Sequence, residues 1–301
     1  MTTTTPGLLL ICHGSRSPAG VAQARQLAGQ VGALAPGLPL AAGFIELAQP
    51  DLDQALDRLV TPAAGAGAPA PATVIGVPLV LLGAGHLKND GPAALARGRR
   101  RHPGAALAYA RDLGIHPLVL AVAEERIRAT LARLPPPARD PRGEPGEDTA
   151  VVLVGRGSTD PDANADLYKV GRLLADSRGL PPVEPAFVSL APPSVPDALD
   201  RCRRLGARRI AVVPYFLFTG VLVERIARQA SAWGADHPRA SVAVGGELGP
   251  DVRLARLVLE RYEEARGGGA VMNCDCCLYR TPLPGYDARV GTPREHTGHH
   301  H

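Results

Sequence analysis

Aromatic side chains are scarce in this chain: Phe, Tyr and Trp make up 4% of its 301 residues. Few rings are therefore present to stack on bases, there is no dense Lys/Arg stripe, and the formal net charge of +4 is mild, so nucleic acid is excluded as a main partner. No apolar run approaches the length of a membrane span, so no membrane association is expected. Met1-Thr2-Thr3-Thr4-Thr5-Pro6 provides neither a basic n-region nor an adequate h-region, and a cytoplasmic location is expected. No Gly-x-Gly-x-x-Gly stands between a strand and a helix, which argues against a dinucleotide site. Cys12-His13-Gly14 lacks the preceding Arg of an Arg-His-Gly phosphatase. The only basic run, residues 97–102, reads as a solvated helix end whose cations complement the C-terminal dipole, although a polyacidic small molecule would also be attracted there.

What the chain does contain is a repeat. Leu8-Leu9-Leu10-Ile11-Cys12-His13-Gly14-Ser15 returns as Val151-Val152-Leu153-Val154-Gly155-Arg156-Gly157-Ser158, an offset of 143 (156 − 13). Phe44-Ile45-Glu46-Leu47 returns as Phe187-Val188-Ser189-Leu190, and Val77-Pro78 as Val213-Pro214. In the third pair the offset has fallen to 136 (213 − 77), which the Pro/Ala/Gly-rich loop at 62–72, absent from the second copy, accounts for. Asp112-Leu113-Gly114 and Glu247-Leu248-Gly249 close the two units. Length agrees, because 301 residues suits two lobes of roughly 120 to 140 residues better than one core.

Within each lobe, short β-rich apolar runs alternate with longer helical periodicity, the pattern of a parallel α/β sheet flanked by helices. Strands are expected at 8–12, 40–45, 73–82 and 105–109, and again at 150–154, 183–188, 209–218 and 241–244. Ser17-Pro18 and Asp160-Pro161 each place an N-cap residue before a Pro at N1. Leu120, Glu124, Ile127, Leu131 and Leu134 mark the last helix of the first lobe, and Leu254, Leu257, Val258, Arg261 and Tyr262 its counterpart. The expected organisation is a first lobe at 1–134, a Pro-rich linker at 135–149, a second lobe at 150–266 and a flexible Cys/His-rich tail at 267–301.

His13, Glu46 and His86 follow the first, second and third strands, so all three fall at the carboxyl edge of one sheet, where open α/β folds bind ligands. Two imidazoles and a carboxylate form a suitable first shell for a borderline divalent metal, and without metal the same groups accept protons near neutral pH. A turn, a solvated loop acid or a surface histidine would explain any one of them alone. In the second copy the three become Arg156, Ser189 and Leu222, so the candidate site is lost there as a unit.

The segments Ile11-Cys12-His13-Gly14-Ser15-Arg16, Phe44-Ile45-Glu46-Leu47-Ala48-Gln49-Pro50 and Val77-Pro78-Leu79-Val80-Leu81-Leu82-Gly83-Ala84-Gly85-His86-Leu87-Lys88-Asn89-Asp90 resemble the class II sirohydrochlorin chelatases, over nearly the whole chain and in the long, fused form. The resemblance implies two tandem flavodoxin-like chelatase lobes, with His13 and His86 binding the metal and helping to remove pyrrole protons while Glu46 assists. Gly91 stands where such proteins often carry an apolar residue, so no role passes to Asp90. The second lobe would stand in for the second subunit of the short dimeric forms, making the protein a monomer with an internal pseudo-dimer. The implied partner is sirohydrochlorin, whose carboxylates Arg16, Lys88 and Arg156 would hold by charge-assisted hydrogen bonds; Arg156 reads equally well as an ordinary surface cation. The long form with a Cys-rich tail favours Co²⁺, in cobalamin synthesis, over Fe²⁺, in siroheme synthesis, with Ni²⁺ less favoured. A non-catalytic metal-trafficking protein is the rival reading.

The tail contains Cys274, Cys276 and Cys277, whereas Cys12 and Cys202 read as small buried hydrophobes. Three thiols in a reducing compartment suit Zn, Cu(I) or half of an Fe–S cluster better than a disulfide. The tail resembles that of some long chelatases of the family, which implies an iron–sulfur centre; Cys274 and Cys277 match its spacing and Cys276 departs from it. His296, His299, His300 and His301 read either as a native metal-scavenging tail or as the remnant of a tag.

Overall fold

The structure, a computed structural model, describes residues 5–61, 71–137, 148–272 and 275–291. Most of the expected loop at 62–72, most of the linker, Cys274 and the terminal histidines lie outside the described residues.

The first repeat runs β1 (Gly7–Cys12), α1 (Pro18–Leu34), β2 (Leu40–Phe44), α2 (Leu52–Val60), β3 (Thr73–Pro78), a π turn (His86–Asp90), α3 (Gly91–Arg101), β4 (Ala106–Tyr109) and α4 (Pro117–Leu131). The second runs β5 (Thr149–Gly155), α5 (Pro161–Arg178), β6 (Val183–Phe187), α6 (Val195–Arg204), β7 (Arg209–Pro214), α7 (Val221–Asp236), β8 (Ser241–Val244) and α8 (Val252–Arg266). The strands form two wholly parallel sheets, ordered β2-β1-β3-β4 and β6-β5-β7-β8. All eight expected strands are present, in the flavodoxin-like order. Helices cover both faces, which is why the central strands are continuous apolar runs: Leu8 to Ile11 are at most 1% exposed and Val151 to Val154 are at 0%.

Two expectations about the elements are corrected. The third strands stop at Pro78 and Pro214, short of Leu82 and Phe218. Proline offers no amide to extend a ladder, and Val80 N–H turns back onto the Pro78 carbonyl. Ser17 occupies the N-cap of α1 without a side-chain capping bond, whereas Asp160 does cap α5 by accepting from the Asp162 amide at 3.1 Å. The basic run behaves as a helix end: Arg99, Arg100 and Arg101 lie in the last turn of α3, and Arg101 and His102 contact Asp57 on α2.

The chain folds into two compact units, and these cut the sequence differently from the repeats. One comprises residues 1–114 with 250–301, the other residues 115–249. Helix α4, expected in the first lobe, packs on β7, β8 and α5, while α8 packs on α1 and β3. Each sheet is therefore completed by the last helix of the opposite repeat. In the first unit Arg261, 2% exposed, donates to the carbonyls of Asp112 and Leu113, and Tyr262 donates to that of Pro6. Among the described residues no helix is long and apolar enough to cross a membrane.

Candidate metal and proton-transfer site

Strand order reverses between β1 and β3, and a doubly wound sheet opens a crevice at the carboxyl ends of the strands flanking that reversal. His13 leaves β1 and His86 follows β3, one on each lip.

Backbone packing brings Glu46 to His13. The loops after β1 and β2 are joined by hydrogen bonds from the Ile45 amide to the Cys12 carbonyl and from the Glu46 amide to the His13 carbonyl, at 2.8 and 3.1 Å. Between them Gly14 adopts φ of +100°, and a Cβ there would lie 1.7 Å from the Glu46 carbonyl oxygen, so only glycine fits. The second repeat keeps this scaffold. Gly157 has φ of +86° with a Cβ position 1.9 Å from the Ser189 carbonyl oxygen, and the Ser189 amide donates to the Arg156 carbonyl at 3.0 Å. What the second copy lacks is the chemistry carried by the side chains.

The His13 and His86 rings meet edge to face, with centroids 4.0 Å apart and planes at 75°. His13 Nδ1 lies 3.1 Å from the Gly14 carbonyl oxygen, and His86 Nδ1 lies 2.6 Å from Asp90 Oδ2. A carbonyl and a carboxylate only accept, so in these two contacts each ring donates from Nδ1, which in a neutral imidazole leaves the lone pair on Nε2. His13 Nε2 is 3.8 Å from Glu46 Oε1, an atom that is buried and has no hydrogen-bond partner. A buried carboxylate oxygen in that condition is costly and is relieved by a cation or a proton. Side-chain exposure falls from 37% at His13 to 17% at Glu46, 11% at His86 and 6% at Asp90, so the group is open at the His13 end. Among the described residues no three or more His, Cys, Asp or Glu side chains are already drawn together as a metal cage.

Arg16 is exposed on the loop after β1, and Lys88 is half-buried in the π turn. Arg156 is half-buried at the carboxyl end of β5, in the second unit. In the tail Cys276 is exposed and Cys277 buried. These two thiols belong to no metal-holding group among the described residues, so the Fe–S expectation finds no support. Asp90 was not assigned a role from the sequence; its spacing of four from His86 was the available signal.

The reversal point of this parallel α/β sheet thus holds two imidazoles in ring contact beside a buried carboxylate oxygen that has no hydrogen-bond partner. A profile of the CbiX family matches residues 7–130 and again 150–265, and the chain belongs to that family. It is 34% identical over 257 residues to the sirohydrochlorin cobaltochelatase of Priestia megaterium, spanning 85% of this chain and 76% of that protein. It is 28% identical over 229 residues to the sirohydrochlorin ferrochelatase of the same organism, spanning 76% and 79%. Its fold superimposes with a TM-score of 0.69, at 26% identity, on the sirohydrochlorin chelatase SirB from Bacillus subtilis subspecies spizizenii in complex with cobalt, over 88% of this chain and 97% of that one.

Proposed function

We propose that the protein inserts a divalent metal ion, Co²⁺ in preference to Fe²⁺, into sirohydrochlorin with release of two protons. One observation carries the reading: two imidazoles in ring contact, each with Nδ1 set against an acceptor, sit beside a Glu46 Oε1 that is buried without a hydrogen-bond partner. Imidazole nitrogen binds first-row divalent ions well without the permanence of a thiolate cage, which suits an ion that must be passed on.

Insertion forms four metal–nitrogen bonds and breaks two pyrrole N–H bonds. The Nε2 lone pairs of His13 and His86 hold the ion as substrate. As it moves to the macrocycle they become acceptors for the departing protons, and Glu46 stabilises the charge or takes a proton onward. An ion of charge two leaves as two protons arrive, so the charge facing Glu46 stays nearly constant. Arg16 and Lys88 supply cations for the substrate's carboxylates. Preference for cobalt is supported by the higher identity to the cobaltochelatase than to the ferrochelatase.

The test is anaerobic mixing with sirohydrochlorin and either Co²⁺ or Fe²⁺, following the visible spectrum against enzyme-free controls. Acceleration, faster with cobalt, is expected. Tight metal binding without acceleration by either ion would overturn the reading in favour of a metal carrier.

A further inference from the structure

The repeat offset changes once more, inside the site. Val77 and Val213 are 136 residues apart, whereas Tyr109 and Val244, which pair with Gly76 and Val212 in equivalent registers, are 135 apart. The first repeat therefore holds one residue more between β3 and β4. The buried faces locate it: Gly91, Leu95 and Gly98 of α3 correspond to Ile226, Ala230 and Trp233 of α7 at the 135-residue offset. The extra residue precedes Gly91 and is absorbed by the π turn, where the Gly91 amide donates to the His86 carbonyl five residues back. In the second repeat α7 begins at Val221 as ordinary α-helix. Single π turns of this kind are rare and concentrate at functional sites.

The insertion brings its own polar setting. Asp90, 6% exposed, accepts from His86 Nδ1 at 2.6 Å. Tyr109 donates its hydroxyl to the Leu87 carbonyl at 3.0 Å, buttressing the turn. Burial first, then the negative charges of Asp112 and Asp90, raise the Tyr109 phenol far above its ordinary range, so it remains a donor. Gly91 makes room for it, since a Cβ there would lie 2.3 Å from the Tyr109 hydroxyl oxygen. The second repeat has Ile226 and Val244 at the Gly91 and Tyr109 positions, an apolar filling of the same space. Burying a carboxylate is costly and by itself is weak evidence of a stabilising role; here it appears together with His86 and is lost together with it.

We propose that Asp90 is a positioning residue, which fixes His86 in the Nδ1–H form and aims its Nε2 lone pair at the site. The π insertion adds this carboxylate beneath His86 without shifting the core face of α3. The proposal rests on the chelatase reading, with Asp90 acting through His86 and touching neither metal nor tetrapyrrole. Hydrogen-bond partners of metal-binding histidines commonly set tautomer and ring orientation in this way.

The test uses the full-length, metal-free protein labelled with ¹⁵N-histidine, comparing wild type, Asp90→Asn and Asp90→Ala, with His86→Ala to assign the resonance. In the wild type His86 is expected with Nδ1 protonated and Nε2 unprotonated. The Asp90→Asn amide can turn either its Oδ1 or its Nδ2 to the ring and the Asp90→Ala side chain offers neither, so both variants should populate the Nε2–H form beside the native one. Metal insertion should then fall about 10–100-fold in kcat with KM for the tetrapyrrole unchanged. A wild-type His86 protonated on Nε2, or native tautomer and kcat in both variants, would overturn the proposal. So would a loss of rate that merely follows loss of folded protein with the tautomer preserved. Wild-type protein that accelerates no insertion would overturn the chelatase reading separately, because the tautomer is read without turnover.

Discussion

Arg126 and Arg261, 135 residues apart, make the same pair of hydrogen bonds on opposite repeats. Arg126, on the last helix of the first repeat, donates to the carbonyls of Glu247 and Leu248 at 3.1 and 3.3 Å. Arg261, on the last helix of the second, donates to those of Asp112 and Leu113 at 2.8 and 3.1 Å. The reciprocal bonds latch two exchanged helices, each onto the segment that closes the other repeat. Arg261→Ala would leave two carbonyls and Glu264 without their cation inside the first unit, a loss of about 3 kcal/mol in unfolding free energy. Arg126 is more exposed, and Arg126→Ala should cost about 1 kcal/mol. Urea unfolding of the two variants measures both.

Glu46→Gln should separate stability from activity. The substitution removes a half-buried charge whose Oε1 is buried without a hydrogen-bond partner, so the midpoint of thermal unfolding should be unchanged or higher. The insertion rate should fall about 100-fold, the usual scale for losing a positioned proton acceptor.

Gly14 and Gly157 form a matched pair. Alanine at either position meets a backbone oxygen at under 2 Å and must hold a positive φ, so both variants should be destabilised. Only Gly14→Ala displaces His13 from Glu46. Folded Gly157→Ala should keep its kcat, and folded Gly14→Ala should lose at least about tenfold by the same misplacement argument that governs any reacting pair.

The interior thiols set an alkaline limit. Burial pushes Cys12 up to about 12 from an ordinary 9.0, and burial with the nearby charge of Glu184 does the same for Cys202. Above the ordinary value the unfolded chain releases protons that the folded chain retains, so stability is full below pH 9 and declines as pH rises toward 12. Each thiol should contribute a loss of about 1 kcal/mol at pH 10. Labelling with iodoacetamide at about pH 8, where an ordinary thiol is partly ionised, should modify exposed Cys276 and leave Cys12 and Cys202 untouched until denaturant is added.

Much of this was legible in the sequence, because strand-and-helix alternation and the paired glycines, prolines and site positions repeat at a near-constant offset. His13, Glu46 and His86 follow three successive parallel strands, and the structure sets the His13 ring against His86 and within 3.8 Å of Glu46. The exchange of α4 and α8 was not legible: both helices present an apolar face suited to either sheet, and nothing in periodicity says which one a helix joins. The role of Asp90 was hidden for a related reason. A one-residue difference between repeats has the same sequence signature in a loop as in a π turn, and only the registers of β4 and β8 and the buried faces of α3 and α7 locate it.

The central claim is that the first repeat carries the chemistry and the second retains only its scaffold. Initial rates of Co²⁺ insertion into saturating sirohydrochlorin, measured side by side for His13→Ala/His86→Ala and Ser189→Ala/Leu222→Ala, test it most directly. The account predicts a rate indistinguishable from the enzyme-free control for the first variant and near-native kcat for the second. Comparable losses in both, or insertion surviving without His13 and His86, would contradict it.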